Sequence, residues 1–487
     1  MAKARRSPSP AAARRRSAAR PQRATPSDRA APAGRDALVI GGGVAGLAAA
    51  SELAAQGLDV TLLEARERLG GRILTRRPPG VALPLELGAE FIHGRPPELL
   101  AWLRRAGQLD HDTDGPSFSL RNGRLLPGDD LFGELRRGLA AGRPLLRRRD
   151  LTFDELLAAL PRHALSDAAR EFARRLLQGF DAADPADASA RAALAEWTGA
   201  AAADAPTSRP AGGYGALVEA QAASLEPHRV RIELGAVVRR IRWSRGEVLV
   251  EGQRRGRRFS ALARRAIVTL PLGVLQHSLL AGAARMDAAH GCVQFDPLPR
   301  ALLAPLAQLG PGPVIKTVLV FRDAFWETFD GGRYAAATFF QAADAPVTTF
   351  WTARPARAPV IVAWQAGPAA AACSAQGREA HLQVALDSFQ SLWGRRVDVR
   401  AQLQSAESYD WWADPFARGA YSYVRVGGEG ARRALARPLQ GTLYFAGEAC
   451  DDGPDAGTVA GALRSGIVAA RRLARAAGPR DGRRRAR

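Results

Sequence analysis

Apolar and polar positions repeat with two different periods along this chain, and the changes of period mark its structural regions. Between residues 37 and 63 a short apolar run, a helix-forming run and an alternating run follow one another, as in a parallel β-α-β unit. From about residue 110 to about residue 204 apolar residues recur three and four positions apart, as on amphipathic helices. Strand patterns return between residues 212 and 268 and between residues 314 and 367. This alternation is typical of an α/β fold.

The turn after the first apolar run carries glycines at GxGxxG spacing. Gly41 permits the tight turn, Gly43 lets the backbone approach a pyrophosphate, and Gly46 lets the next helix pack closely against the strand. The N-terminal end of that helix then faces the phosphates with free N–H groups and a positive dipole. Glu64 follows the second strand, where an acid accepts hydrogen bonds from ribose hydroxyls. The stretch predicts a dinucleotide site that favours FAD or NAD over NADP.

Further motifs narrow the choice of cofactor. The runs LGGR at residues 69–72 and LGAEFIHG at residues 87–94 follow closely, and YDWWADPFARGAYSYV and FAGEACDDGPDAGTVAGALRSG stand near the other end. On these motifs the chain resembles the flavin amine oxidases, the family of polyamine oxidases, monoamine oxidases and the lysine-specific histone demethylase. The resemblance implies FAD. It also implies non-covalent binding, because Ala420 stands where covalent monoamine oxidases carry the cysteine that holds the flavin.

The resemblance runs from about residue 36 to about residue 475 and implies how the chain divides. A Rossmann-like FAD-binding domain is expected to be interleaved with an α+β substrate domain that has a mixed sheet and a helical region. The expected pieces are a disordered basic tail (1–35), a first FAD-binding segment (36–109), the helical region of the substrate domain (110–206), a second FAD-binding segment (207–285), the substrate-domain sheet (286–401), a third FAD-binding segment (402–475) and a second basic tail (476–487).

The resemblance also adds cofactor contacts to the glycine turn. It places the Val238 backbone against the adenine and Glu448 against the ribityl chain or ribose, and it aims the helix N-terminus around Val459 at the flavin N1 and O2, where negative charge collects on reduction. The predicted cofactor-binding residues are Gly41, Gly43, Val44, Ala45, Gly46, Glu64, Ala65, Arg66, Gly70, Gly71, Arg72, Gly88, Ala89, Glu90, Val238, Trp411, Gly447, Glu448, Thr458 and Val459.

Lysine usage singles out one catalytic candidate. Among 69 basic residues only Lys3 and Lys316 are lysines, and Lys316 lies in the apolar strand VIKTVLVF. A lysine kept there points to a role that arginine cannot fill, because only an ammonium is compact and can lose its proton when desolvated. The matching lysine of the family holds a water against the flavin N5 and assists reoxidation by oxygen, so the resemblance implies the same for Lys316. The alternative is a structural strand lysine.

Aromatic and polar residues supply the other catalytic candidates. The resemblance places Trp351 and Tyr421 on the wall of the substrate cavity, where aromatic faces attract an amine and exclude water. Thr458 stands where covalent monoamine oxidases carry a second tyrosine, so the chain looks closer to the polyamine oxidases. His93 matches a position of histidine or glutamate in polyamine oxidases and is the candidate for orienting the distal end of an amine.

The expected function is that of an FAD-dependent amine oxidase with a polyamine-like substrate. A neutral amine loses a hydride from its α-carbon to flavin N5, the imine hydrolyses to an aldehyde and a smaller amine or ammonia, and reoxidation by O₂ yields hydrogen peroxide. An L-amino-acid oxidase stays as an alternative, although it would need an arginine near Gly88, where Glu90 and Phe91 stand. A flavoprotein with a demethylase-like role on protein or nucleic acid, and a non-catalytic flavoprotein, are further alternatives.

Composition changes this picture only at the ends of the chain. Most of the net charge of +21 lies in residues 1–35 and 471–487, so the body between them is close to an ordinary soluble enzyme, and no specific nucleic-acid site is predicted. Charges interrupt every apolar run, which predicts no membrane span. Three cysteines without CxxC spacing favour a reducing compartment and no metal site. We expect a cytoplasmic protein rather than one with a twin-arginine export signal. The sequence makes no prediction of oligomeric state.

Overall fold

A computed structural model describes residues 35–128, 131–198, 206–280 and 291–477. Most of the predicted basic head and tail therefore lies outside the described residues. The strands are β1 (Arg35–Ile40), β2 (Val60–Leu63), β3 (Thr75–Arg76), β4 (Leu85–Glu86), β5 (Ile92–His93), β6 (Asp110–Asp112), β7 (Ser117–Arg121), β8 (Arg124–Pro127), β9 (Thr207–Pro210), β10 (Val230–Glu233), β11 (Ala236–Ser244), β12 (Glu247–Arg254), β13 (Arg257–Val268), β14 (Gln294–Asp296), β15 (Leu309–Gly312), β16 (Val314–Phe321), β17 (Phe339–Gln341), β18 (Thr349–Thr352), β19 (Val360–Ala366), β20 (Leu403–Asp410), β21 (Tyr421–Val424) and β22 (Leu443–Phe445).

The helices fall between and after these strands. They are α1 (Val44–Ala55), α2 (Pro97–Arg105), α3 (Leu131–Ala140), α4 (Arg143–Arg148), α5 (Phe153–Ala159), α6 (Asp167–Phe180), α7 (Ala190–Thr198), α8 (Gly213–Ala223), α9 (Leu272–Leu279), α10 (Leu303–Ala307), α11 (Phe325–Gly332), α12 (Gly367–Ser374), α13 (Arg378–Trp393), α14 (Val399–Gln402), α15 (Ala431–Leu435) and α16 (Val459–Ala477).

The first large sheet has the strand order β10-β2-β1-β13-β12-β11-β14, with β22 beside the end of β13. Strands β10, β2, β1 and β22 run parallel to their neighbours, whereas β11 to β13 form an antiparallel meander. Successive residues of β1 enter different cores: Ala37 and Val39 pack with α1 and α16, and Leu38 and Ile40 pack with α9 and α10. The sheet is covered on both faces, as parallel sheets are, and the predicted α/β fold with a Rossmann-like domain is confirmed.

The second large sheet has the order β20-β16-β19-β18-β17-β7-β8 and is antiparallel except between β17 and β7. The predicted strand VIKTVLVF is β16, and all eight of its residues are buried. The hairpin of β7 and β8 comes from the region where the apolar period predicted helices. Asn122 and Gly123 join its strands, both with positive φ (48° and 71°), which is the geometry of a type I′ turn.

The helical region of the chain follows that hairpin and agrees with the apolar period. Helix α5 begins with a capping box, in which Thr152 Oγ1 accepts from the Glu155 N–H at 3.1 Å and Glu155 Oε2 accepts from the Thr152 N–H at 2.9 Å. Ser166 caps α6 with a single hydrogen bond, in which its hydroxyl oxygen accepts from the Ala169 N–H. Apolar residues of α3 to α7 form one separate core cluster. A hydrogen bond joins the end of α6 to the second sheet, in which the Trp364 Nε1–H donates to the Gly179 carbonyl at 2.7 Å.

Candidate functional site

One cavity of about 2250 Å³ is lined both by the carboxyl edge of the first sheet and by the second sheet. The residues that follow β1, β2, β13 and β22 reach its wall: Gly41, Glu64, Thr269 and Gly447. Ligands of open α/β sheets bind at this edge of the strands. The volume exceeds the roughly 300–1,000 Å³ of a pocket for one small molecule. It therefore has room for a dinucleotide and a substrate together.

The glycine turn has the geometry of a diphosphate cradle. A Cβ on Gly46 would lie 1.9 Å from the Gly41 carbonyl oxygen, so only glycine lets α1 pack this closely against the turn. A Cβ on Gly43 would meet nothing nearer than the Gly71 Cα at 3.8 Å and would instead occupy the free space beside the turn. Helix α1 begins at Val44 without a side-chain cap, so the N–H groups of its first turn remain available to an anion. These residues fit the predicted cofactor.

Glu64 is fixed at the end of β2, buried and facing the cavity. Its Oε2 accepts from the Gly42 N–H at 2.6 Å and its Oε1 from the Arg66 N–H at 2.8 Å. Each oxygen of an ionised carboxylate accepts about two hydrogen bonds. Both oxygens therefore keep capacity for the hydroxyls of a ribose.

Glu448 connects the segment after β2 with strand β21 at the cavity wall. Its Oε1 accepts from Arg72 Nη1 at 2.9 Å, and its Oε2 accepts from the Ser422 hydroxyl at 2.6 Å. Burial alone would raise the pKa of Glu448, but Arg72 and Arg432 outweigh it and hold that pKa below its ordinary value. Arg72 also donates to the Ala420 carbonyl at 2.7 Å. The glycine pair after β2 is thereby tied to the segment that carries Tyr421.

Thr458 caps the N-terminus of α16. Its hydroxyl donates to the Asp455 carbonyl at 2.7 Å and accepts from the Gly461 N–H at 3.2 Å. The preceding loop is held by Arg464, which pairs with Asp451 and Asp455 at 2.5 Å each. The start of this helix, including Thr458 and Val459, lines the cavity.

Lys316 is 1% exposed, and its ammonium lies at the cavity wall. Nζ donates to the Gly88 carbonyl at 3.0 Å and to Glu90 Oε2 at 2.6 Å. Glu90 Oε1 accepts from the Trp351 indole N–H at 3.0 Å and lies 2.7 Å from Arg209 Nε. Burial alone would raise the pKa of Glu90, but Lys316 and Arg209 outweigh it and hold that pKa below its ordinary value. Glu90, predicted as a cofactor residue, therefore directs its side chain at two catalytic candidates.

Aromatic rings form the wall on the substrate side. Trp351 contacts Phe91 and Trp364, with ring centroids 5.4 Å and 5.6 Å apart. The Tyr421 hydroxyl donates to the Phe180 carbonyl at 2.6 Å, and the His93 ring packs edge-on against Phe180 at 5.6 Å. Burial lowers the pKa of His93, which favours a neutral imidazole at this place.

Trp411, predicted as a cofactor contact, is 2% exposed, and its indole N–H donates to the Leu87 carbonyl at 2.7 Å. All the predicted site residues line the cavity except Gly46, which lies where α1 packs against the glycine turn. The predicted residues are thus brought together, and their individual roles stay predictions.

A pair of acids, Asp181 and Glu196, also lines the cavity and was missed in the sequence. The two carboxyls are hydrogen-bonded to each other, and Asp181 Oδ2 accepts from the Trp197 indole N–H at 3.2 Å. Burial, and the nearby Glu196, raise the pKa of Asp181 well above its ordinary value, and burial raises the pKa of Glu196. A shared proton is thereby favoured in the pair, and a nearby cation would favour the ionised form.

Arg209 was missed as well. It lies in the short strand β9, between β5 and β6, and its only sequence context is TSRP, which carries no motif. Neither Arg209 nor the acid pair has a local pattern that marks it, because each meets its partners only through the tertiary fold.

Two further classes of site are not found in the residues that the structure describes. None of their helices is long and apolar enough to cross a membrane. Over the same residues, no group of three or more His, Cys, Asp or Glu side chains is arranged to hold a metal ion.

Comparison with known proteins gives a family and a fold. A model of the family described as flavin containing amine oxidoreductase matches residues 44–474. The chain is 28% identical over 477 residues to polyamine oxidase 5 of Oryza sativa subsp. japonica, covering 89% of this chain and 86% of that protein. It is 27% identical over 506 residues to lysine-specific histone demethylase 1 homolog 3 of Arabidopsis thaliana, covering 90% of this chain but only 30% of that protein.

Solved structures agree on the fold. Putrescine oxidase bound to putrescine superposes with a TM-score of 0.71 at 23% identity, covering 90% of this chain and 98% of that one. Cyclohexylamine oxidase from Brevibacterium oxydans IH-35A gives a TM-score of 0.72 at 20% identity, covering 91% of this chain and 99% of that one.

Proposed function

The chain belongs to the flavin-containing amine oxidoreductases, and we propose that it is an oxidase of polyamine-like amines with non-covalently bound FAD and O₂ as the acceptor. When bound, FAD would accept a hydride from the α-carbon of a neutral amine and would pass the two electrons to O₂ to give hydrogen peroxide. The imine product would hydrolyse to an aldehyde and a released amine or ammonia. The observation that carries the proposal is the buried Lys316 ammonium on the wall of the cavity that also contains the glycine cradle.

The chain's own residues hold and shield the reactants in this proposal. The first-turn N–H groups of α1 bind the diphosphate, and Glu64 and Glu448 accept from sugar hydroxyls of the cofactor. Trp351 and Tyr421 enclose the amine and exclude water. Lys316 holds a water at the cavity wall, and His93 orients the distal end of the substrate. None of the three cysteines, all of them buried in the described chain, lines the cavity, which supports non-covalent binding.

A face of the second sheet supports an extended substrate. Strand register aligns Lys316, Trp364, Thr349, Gln341 and Ser119 in one row across five strands, and all five line the cavity. Four strand spacings make this row about 19 Å long. A long flexible amine fits such a row, and the pair of Asp181 and Glu196 supplies negative charge for a second ammonium once its proton leaves. The named relatives include a polyamine oxidase and a putrescine oxidase.

The amino-acid oxidase alternative needs an arginine that is free to bind a carboxylate. Arg209 lies beside this segment, but it is 7% exposed and its Nη1 and Nη2 donate to the carbonyls of Arg354 and Thr352. It also pairs with Glu90. This arrangement favours an amine without a carboxylate as the substrate.

We further propose that the pieces at 36–109, 207–285 and 402–475 act as the cofactor domain, and that the protein works in the cytoplasm without a nucleic-acid partner. The free, buried cysteines of the described chain fit a reducing compartment. A demethylase-like role stays an alternative, and the chain spans 30% of the plant demethylase and 53% of lysine-specific histone demethylase 2 of Homo sapiens.

Release of hydrogen peroxide by the purified yellow protein tests the proposal. The panel contains putrescine, spermidine, spermine, a simple monoamine and a set of L-amino acids. We expect peroxide and anaerobic bleaching of the flavin with the diamine or polyamines. Bleaching by L-amino acids alone would favour the alternative enzyme, and a colourless polypeptide that takes up no FAD would overturn the proposal.

A further inference from the structure

Glu90 stands at the centre of a buried charge cluster that joins the cofactor segment to the substrate wall. One carboxylate oxygen faces the Lys316 ammonium at 2.6 Å, and the other faces the Trp351 indole N–H at 3.0 Å and Arg209 at 2.7 Å. We propose that Glu90 is a positioning residue that fixes both Lys316 and Trp351 in the reaction cavity. The inference rests on the proposed amine oxidase function for the roles of those two residues.

The geometry leaves the ammonium one free direction. A lysine ammonium carries three N–H donors. Two of them are directed at Glu90 Oε2 and at the Gly88 carbonyl, which both belong to the segment predicted to contact the cofactor. The third N–H remains for a ligand or water in the cavity that Lys316 lines. Glu90 thus fixes the orientation of the Lys316 ammonium, so that its third N–H points in one direction.

Arg209 holds Glu90 from the opposite side. Its guanidinium lies 4.5 Å above the Phe91 ring, and two of its nitrogens donate to backbone carbonyls at 2.6 Å and 3.2 Å. Arg209 is therefore immobile in its own right. The carboxylate is clamped between a fixed cation and the lysine, so it can orient Lys316 without moving itself.

The partners of Glu90 make its charge irreplaceable by an isostere. Lys316 and Trp351 donate N–H groups to the two carboxylate oxygens, one to each, and the positive charge of Arg209 lies beside Oε1. A glutamine at this position must point its amide N–H₂ at one of these donors, whichever way it is turned. An aspartate keeps the acceptors but is one methylene shorter. Glu90→Gln should therefore release the ammonium, and Glu90→Asp should retain some of its fixation.

Other titratable groups also surround Lys316, and they are the same in all the Glu90 variants. Glu86 acts on it from β4, Arg209 from β9 through Glu90, and Tyr409 is its cross-strand neighbour on β20. Tyr409 donates to Asp414 rather than to Lys316. The comparison of Glu90 variants leaves all of these groups in place.

The scarcity of lysine makes the ammonium directly observable. With only Lys3 and Lys316 in the chain, labelling with [ε-¹³C, ζ-¹⁵N]lysine gives two side-chain signals, and a Lys3→Arg background leaves one. In the apoprotein we expect ¹³C relaxation of the Lys316 signal to show a more mobile side chain in Glu90→Gln than in the parent, because the ammonium has lost one of its two fixed acceptors. Glu90→Asp should lie in between.

A second readout uses the loaded protein. Stopped-flow reoxidation of photoreduced flavin by oxygen, without substrate, should be about tenfold to a hundredfold slower in Glu90→Gln at pH 7, which corresponds to the loss of a charged hydrogen bond. In a Lys316→Met background the same Glu90 substitution should have no further effect.

Two results would overturn the inference. One is a Lys316 signal whose relaxation is the same in the parent and in Glu90→Gln, and the other is a Glu90 effect of full size in the Lys316→Met background. If Glu90→Gln does not fold, Glu90→Asp carries the same comparison. Because the labelled apoprotein requires no FAD, failure of the oxidase proposal and failure of the Glu90 inference are distinguishable.

Discussion

The two sides of the cavity are built in different ways. On the cofactor side the backbone contributes most contacts: glycine turns, free N–H groups and helix N-termini, with Glu64 bonded to neighbouring amides. On the substrate side charged side chains contribute most contacts: Lys316, Glu90 and Arg209, which are largely buried, and the pair of Asp181 and Glu196 on the cavity wall. A backbone cradle depends on local conformation, whereas a buried ion pair depends on segments that meet only after folding.

This difference also predicts how each side fails. A backbone cradle fails by steric clash, with loss of the cofactor. A buried charge cluster fails when one partner is removed, because the other is then left uncompensated in a low-dielectric site. A small substitution should therefore weaken cofactor binding on one side and leave an uncompensated charge on the other.

The largest effect is expected from Gly46→Ala on the cofactor side. The new Cβ would lie 1.9 Å from the Gly41 carbonyl oxygen, so the backbone of the turn must move. Overpacking of this kind costs about 3 kcal/mol or more, which corresponds to FAD binding weaker by about a hundredfold. Titration of the apoprotein with FAD, together with its thermal unfolding, measures the effect.

Gly43→Ala is the matched variant for that experiment. Its Cβ would come no closer than 3.8 Å to any protein atom, so the apoprotein should unfold at the parent temperature while FAD binding still weakens. A Gly46→Ala protein that binds FAD as the parent does would contradict the backbone account of this side.

Next in size is Lys316→Met on the substrate side. We expect flavin reoxidation by oxygen to slow by about a hundredfold, within the range lost when a positioned proton donor is removed, while FAD stays bound. Lys3→Met, at the only other lysine, should reoxidise at the parent rate. Stopped-flow absorbance measures both, and an unchanged rate in Lys316→Met would leave Lys316 as a structural strand lysine.

These two sides also differ in how far the sequence predicts them. The β1-α1-β2 unit and the strand VIKTVLVF are predictable because their signals are local: glycine spacing, apolar period and the single lysine in an apolar run. Glu90 and Lys316 are 226 residues apart, and no local pattern pairs them. Asp181 and Glu196 lie after α6 and in α7, and no local pattern pairs them either. The missed hairpin of β7 and β8 is different, since Asn122-Gly123 was a readable turn signal.

A smaller effect is expected from removing the acid pair. In Asp181→Asn combined with Glu196→Gln we expect the KM for a diamine to rise about tenfold, the value of one charged hydrogen bond to the second ammonium. The KM for a monoamine of similar length should stay constant, since it has no second ammonium. Glu171→Gln, at an exposed acid elsewhere on the cavity wall, is the control. Equal changes for diamine and monoamine would remove the pair from substrate recognition.

The last prediction concerns stability rather than activity, at Glu86, a carboxyl on the same segment as Glu90 that has no cation in direct contact among the described residues. It accepts from the Tyr214 N–H at 2.7 Å and bonds the Thr75 hydroxyl at 2.8 Å. Burial raises the pKa of Glu86 from 4.5 to about 7. Glu86 thus lies on the same segment as the charged groups of the substrate side, but without an ion pair of its own among the described residues.

The sign of the resulting pH dependence follows from proton binding. Between pH 4.5 and about pH 7 folded Glu86 keeps a proton that the unfolded chain has released, so its contribution to the free energy of unfolding falls as the pH rises through this window. The total is about 3 kcal/mol.

In Glu86→Gln the amide can still accept from Tyr214 and donate to Thr75 without a charge to desolvate. The variant should match the parent near pH 4.5 and exceed it by about 3 kcal/mol at pH 8. Urea unfolding of both apoproteins at the two pH values measures the difference. Glu219→Gln, at a largely exposed acid, should follow the parent, and a constant difference between the Glu86 variant and the parent at both pH values would mean that Glu86 is ionised in the folded chain.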